Sequence, residues 1–67
     1  MRASLPVERA VMEGIDDARL SGTDAERYDE RHPLFRYWHA ALVRKSVMRD
    51  HSDRRVREHV LAEVRQR

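Results

Sequence analysis

The spacing of the apolar residues limits the fold of this chain more than any other feature. Val7, Val11, Ile15 and Ala18 follow one another at intervals of four, four and three residues, the period that places side chains on one face of an α-helix. Two later segments repeat this pattern, and none alternates apolar and polar residues as a strand does. The sequence therefore predicts an all-α fold, a helical hairpin plus a third C-terminal helix.

Turn-forming residues divide the 67 residues into helices within one small domain, residues 1–67. Ser4 is a predicted N-cap, Pro6 suits the first turn of a helix, and Gly22 suits the position just after its end. Pro33 stands before the second helix, and Ser52 or the following aspartate caps the third. We predict helices over residues 6–21, 34–49 and 53–65.

The linker, residues 22–33, carries a local helix signal of its own. Thr23 and Glu26 have the spacing of a capping box, in which each side chain bonds the other residue's backbone N–H. This predicts a short helix over residues 24–30, with an irregular linker as the alternative because most of these residues are charged.

Two positions have a predicted role in packing. Gly14 interrupts the first helix, and we expect it to allow close approach of another helix. Trp38 falls on the apolar face of the second helix and is the predicted anchor of the core. Phe35 widens that face, whereas Tyr37 points to another side of the helix, and both are candidates for an exposed contact surface.

Charge is divided unevenly along the chain. Residues 1–33 hold five arginines and eight acids, a net charge of −3, whereas residues 34–67 hold eight arginines, one lysine and four acids, a net charge of +5. Between Leu34 and Arg49 there is no acidic residue. A basic half of this kind indicates a partner that carries negative charge, either a nucleic acid or an acidic protein surface.

Several classes of function lack a supporting motif. The chain has no cysteine, no glycine-rich phosphate loop and no nucleophile motif, so we predict no enzyme activity, no catalytic residues and no cofactor. His59 and Glu63 stand four residues apart, yet they lack the further ligands that a metal site needs. No apolar run approaches the roughly 20 residues that cross a bilayer, and no leader is evident, which predicts a cytoplasmic protein without a membrane partner.

Aromatic residues beside arginines are typical of RNA-binding surfaces, where rings stack on bases and guanidinium groups hold phosphates. They are equally typical of protein interfaces. The residues that we predict to contact RNA or another partner are Arg36, Tyr37, Arg44, Lys45, Arg49, Arg54 and Arg57.

Residues 10–41 resemble the ribosome modulation factor family of small bacterial proteins. The resemblance rests on small residues in the first helix, an aromatic and a proline in the linker, and a tryptophan in the second helix. The matching residues are Ala10, Gly14, Ala18, Gly22, Tyr28, Pro33, Leu34, Trp38 and Ala41. The resemblance implies a pair of helices and a ribosome-associated regulator of translation. The asparagine-proline-tyrosine turn and the glycine-tryptophan pair of that family are absent, and residues 50–67 have no counterpart in it.

Two functions follow as expectations. The first is a small basic regulatory protein that binds RNA, with the ribosome as its implied target. The alternative is a helical protein-interaction module, an adaptor or inhibitor of the type that phages and mobile elements encode. It would act through complementary charge and the narrow apolar stripe of Val56, Val60 and Val64, on a protein partner or a second copy.

Overall fold

Three α-helices make up the fold in the computed structural model, which describes residues 5–65. Helix α1 spans Leu5–Ser21, α2 spans Phe35–Val47 and α3 spans Asp53–Arg65. Over these residues the structure has no strand, so the predicted all-α class and three-helix arrangement are confirmed. Gly22 ends α1 with a φ of 61°, the left-handed conformation that glycine adopts readily after a helix. The predicted cap at Ser4 lies outside the described residues.

Helices α1 and α2 form the closest pair, and they run in the same general direction. Ala10 clusters with Trp38, and Ala18 lies in one cleft with Lys45. Because the contacts ascend together along both helices, the pair differs from an antiparallel hairpin. At the centre, a Cβ built on Gly14 would lie 2.3 Å from the Trp38 carbonyl oxygen. The expected role of Gly14 in close helix approach is thus confirmed.

The linker between α1 and α2 runs back along α1, and the predicted helix over residues 24–30 is wrong. Only Gly22–Asp24 forms a single 3-10 turn, after which Ala25 is extended, with φ −63° and ψ 143°. Side chains of Arg27 and Tyr28 bond carboxylates on α1 instead. A short, highly charged helix has no apolar face to bury, so these contacts with α1 decide the backbone path.

Helix α2 is shorter at both ends than the predicted range of residues 34–49. Leu34 serves as its N-cap, and Met48 leaves the helix with φ −102° and ψ 37°. The face that α2 buries includes Trp38, which is 1% exposed and so confirms the predicted anchor of the core. Val47, the last residue of α2, is 70% exposed.

Helix α3 matches its predicted range and packs back on the other two helices. The Ser52 hydroxyl accepts a hydrogen bond from the backbone N–H of Arg55 at 3.2 Å, which confirms Ser52 as the cap. Val56 and Val60 are fully buried in a cluster that includes residues of both α1 and α2. The core therefore lies where the three helices meet.

Candidate functional site

Asp17 of α1 fixes both the linker and α2. Its carboxylate accepts two hydrogen bonds from the Arg27 guanidinium, at 2.7 and 2.9 Å, and one from the Trp38 indole N–H at 2.8 Å. The bonds from Arg27, supported by the one from Trp38, hold the pKa of Asp17 below its ordinary value against the effect of burial. The carboxylate therefore stays ionised and ties together three segments of the chain.

Tyr28 makes the second attachment of the linker to α1. Its hydroxyl donates to Glu13 at 2.7 Å, and this bond, with partial burial, raises the pKa of Tyr28 above its ordinary value. The Tyr28 ring lies edge-on to Trp38, with centroids 5.8 Å apart. The linker is thus ordered by two polar contacts and one aromatic contact.

Phe35 and Tyr37, predicted on an exposed contact surface, are both half-buried against the core. Phe35 stacks on the exposed ring of His39 with centroids 5.0 Å apart. Arg36 is exposed, and its guanidinium carbon lies 5.5 Å from the centre of the Tyr37 ring. Of the predicted contacts near the start of α2, Arg36 is accessible, and Tyr37 is accessible only in part.

Three of the other predicted contacts are engaged within the chain. Lys45 is 7% exposed, and its ammonium group donates to the His51 carbonyl and pairs with Asp53, each at 3.1 Å. Arg44 pairs with Glu63 at 3.2 Å. Arg57 is half-buried, with its guanidinium 4.0 Å from the sulfur of a methionine on α1. Lys45 in particular is a structural cation.

Exposed arginines also lie where α2 ends and α3 begins. Arg49, Arg54 and Arg55 are exposed in this region, which we name the α2–α3 corner. Within residues 5–65, Arg49 and Arg55 have no ion-pair partner, while Arg54 pairs with Glu58 at 3.3 Å between exposed groups, where pairing is weak. Arg55 was missed from sequence. The sequence signal that could have found Arg55 is its spacing of four residues from both His51 and His59.

Within residues 5–65, no carboxylate of the acidic half pairs with a cation of the basic half. Within the described residues, the front carboxylates of Asp16 and Asp17 pair with front arginines. The pair that joins the two halves is the reverse one, between Arg19 of the front and Asp53 of the back. Within the described residues, Arg49 and Arg55 of the corner are therefore not neutralised by a carboxylate of the acidic half.

A separate groove of about 1250 Å³ lies between the linker and α2. Its floor includes Phe35 and Trp38, and its lining includes the exposed carboxylates of Asp24, Glu26 and Glu30. These acids would repel a polyanion. The linker is therefore acidic and the α2–α3 corner is basic, and only the corner would attract a nucleic acid.

Comparison with known proteins identifies no relative. No protein-family model matches the sequence, and no curated protein or solved structure gives a significant match. Over the described residues, the side chains do not bring together three or more potential metal ligands, and no helix is long and apolar enough to span a membrane.

Proposed function

We propose that this chain is a small RNA-binding regulatory protein that docks on RNA phosphates through the α2–α3 corner. The observation that carries the proposal is the absence of carboxylate partners for Arg49 and Arg55 within residues 5–65. Exposed, uncompensated arginines bind phosphate oxygens through paired N–H donors and release counterions as they do so.

The rest of the basic half supports the same surface. Arg54 lies beside Arg55 and is held only by an exposed pair with Glu58, which a phosphate can displace. Arg36 lies near the start of α2, and Arg49 follows the end of that helix. The 13 residues between them correspond to roughly 20 Å along the helix axis. It would extend the contact along the backbone of a bound RNA, with Tyr37 beside it.

The resemblance of residues 10–41 to the ribosome modulation factor family makes ribosomal RNA the first target to test. The close packing of Gly14 on α2 and the burial of Trp38 are compatible with that resemblance. The role in translation comes from the resemblance, whereas the RNA-binding surface is argued from the corner.

The test is the salt dependence of binding to a fluorescein-labelled single-stranded RNA, followed by fluorescence anisotropy. For contacts by the three corner arginines, we expect the logarithm of the association constant to fall against log salt with a slope of roughly −2. Arg49→Gln with Arg55→Gln should weaken binding and reduce the size of the slope by roughly 1.4.

A matched control replaces two exposed arginines outside the corner, Arg9→Gln with Arg31→Gln, which leaves the net charge equal to that of the corner variant. We expect this control to bind RNA nearly as well as the unchanged chain. Equal losses in the two double variants would show that only net charge matters and would contradict the corner as the site. Binding to isolated ribosomes by co-sedimentation then tests the ribosomal target.

A protein-interaction module remains the second candidate, and one observation favours it. A cleft of about 620 Å³ beside the start of α1 is lined in part by Leu5, Met12 and Leu34, and Leu5 is 80% exposed. Exposed apolar side chains around a cleft are typical of surfaces that bind other proteins. Sedimentation equilibrium at low and high salt tests the self-associating form of this function, because a monomer at both salts contradicts it.

A further inference from the structure

A further cleft, at the α2–α3 corner, is lined by one arginine and two histidines. It has a volume of about 450 Å³ and is lined by Met48, His51, Arg55, Glu58 and His59. The side chains of His51, Arg55 and His59 are exposed, and within the described residues they make no hydrogen bond or ion pair. Three nitrogen-bearing groups that can donate hydrogen bonds are therefore open to a ligand in one cleft.

The backbone at this cleft is fixed by bonds already described. The Arg55 N–H bonds the Ser52 hydroxyl, and the His51 carbonyl accepts from buried Lys45. Arg55 and His59 stand four residues apart on α3, so they lie on one side of the helix with a rise of roughly 6 Å between them. Side chains placed in a row on an ordered backbone suit an extended polyanion better than a single ion.

The charge of the cleft depends on the protonation of the histidines. Its one carboxylate, Glu58, accepts a hydrogen bond from Arg54 at 3.3 Å, and because both side chains are exposed this pair offsets the negative charge only weakly. A protonated imidazole carries a positive charge and donates hydrogen bonds through both ring nitrogens, so protonation of either histidine makes the cleft more positive. The other charged groups of the adjoining segments include Arg44 and Lys45 of α2, Arg49 and Asp50 of the turn, and Asp53, Arg57 and Glu63 of α3.

We propose that the cleft formed by His51, Arg55 and His59 is a phosphate-binding subsite for the RNA backbone, and that acidification strengthens RNA binding there. The inference rests on the proposed RNA-binding function and deepens it. Arg55 holds a phosphate oxygen at any physiological pH. His51 and His59 donate to that phosphate or its neighbour once both ring nitrogens carry hydrogen.

The test measures binding of the labelled single-stranded RNA at pH 7.5 and pH 5.5 and at several salt concentrations. At pH 5.5 we expect roughly tenfold tighter binding and a salt slope larger by roughly 0.7 for each histidine that contacts a phosphate. The variant His51→Gln with His59→Gln should lose the gain at pH 5.5. The matched control is His32→Gln with His39→Gln, which should keep the gain.

The outcomes separate this inference from the function on which it rests. RNA binding whose strength is the same at both pH values, or a gain that survives in the His51/His59 variant, overturns the subsite and leaves the proposed function intact. If no RNA binds at either pH, the proposed function fails. In that case an NMR titration with inorganic phosphate at pH 5.5 tests whether the cleft binds phosphate. Shifts confined to the His51 and His59 ring signals support a phosphate site, and unmoved signals overturn it.

Discussion

The indole N–H of Trp38 donates a hydrogen bond to the carboxylate of Asp17 at 2.8 Å, across 21 residues of sequence. The same carboxylate receives the Arg27 guanidinium, so one side chain of α1 holds both the linker and the largest core residue. These three segments should lose their order together when Asp17 is replaced.

Asp17→Asn keeps an acceptor for the indole but removes the charge that binds Arg27. We expect the free energy of unfolding to fall by about 1–2 kcal/mol, as for loss of charge-assisted hydrogen bonds, measured by urea denaturation with Trp38 fluorescence. Asp16→Asn is the matched control, because Asp16 is exposed and makes one contact of 3.3 Å with Arg19. Its effect should stay below about 0.5 kcal/mol; equal losses in both variants would argue against the role of Asp17.

The depressed pKa of Asp17 predicts an acid-sensitive fold. Because Arg27 keeps Asp17 ionised to a lower pH in the folded state than in the unfolded chain, the contribution to stability is complete above the unfolded carboxyl pKa of about 3.9. It is lost as the pH falls through the lower folded value. Urea denaturation between pH 7 and pH 2 should show a smaller loss of stability in Asp17→Asn than in the unchanged chain, and parallel profiles would contradict the assignment.

The Tyr28–Glu13 bond predicts a tyrosine that resists ionisation. The pKa of Tyr28 is raised chiefly by donation to Glu13, so the bond stabilises the fold fully below pH 10 and is lost as the pH rises through the folded value. Phenolate absorbance at alkaline pH should show one tyrosine with a raised pKa. Tyr28→Phe identifies that step by removing it, and Glu13→Gln should move it to lower pH. A step unchanged by Glu13→Gln would exclude this cause.

Gly14→Ala tests the close approach of α1 and α2. The added Cβ would lie 2.3 Å from the Trp38 carbonyl oxygen and 2.8 Å from the Ala41 side chain, so the helices must separate. We expect a loss of about 1–3 kcal/mol, despite the better helix propensity of alanine, which is worth about 1 kcal/mol. Thermal unfolding by circular dichroism measures it. Leu20→Ala on the same helix, at an 82% exposed position, should change little; a stabilised Gly14→Ala would contradict the packing.

Lys45→Met separates structural from RNA-binding cations. The methionine keeps the apolar stem but removes the ammonium bonds to the His51 carbonyl and Asp53. We expect stability to fall by about 1–3 kcal/mol, while RNA affinity at 10 °C, with the chain still folded, should change less than twofold. A large loss of affinity in the folded variant would return Lys45 to the set of RNA contacts.

Local pattern was sufficient for the helices because each carries an apolar stripe and a stop signal. Gly22 and Ser52 acted as predicted, and Trp38 is the core anchor that its place on the stripe indicated. The prediction of a helix in the linker failed because Arg27 and Tyr28 bond α1 residues that are 10 and 15 positions away in sequence. Local helix propensity does not encode such contacts. The tertiary bonds of Arg27 and Tyr28 therefore outweighed the local capping-box signal.

The predicted binding residues show the same limit. Periodicity gave no way to separate Lys45, which the fold buries against Asp53, from Arg49, which it leaves exposed. The density of basic residues therefore led us to predict both Lys45 and Arg49 as binding residues. Arg55 differs from its neighbour Arg54 only in the side of α3 that it occupies, and that side matters only once α2 is packed against it.

The parallel course of α1 and α2 also sets the lengths of the loops that must close as the chain folds. Contacts such as Ala10 with Trp38 join residues far apart in sequence, so α2 cannot dock until a long loop has closed. The linker divides that closure into shorter steps, since Arg27 reaches Asp17 over 10 residues and Tyr28 reaches Glu13 over 15. Loop-closure entropy therefore favours docking of the linker on α1 before docking of α2.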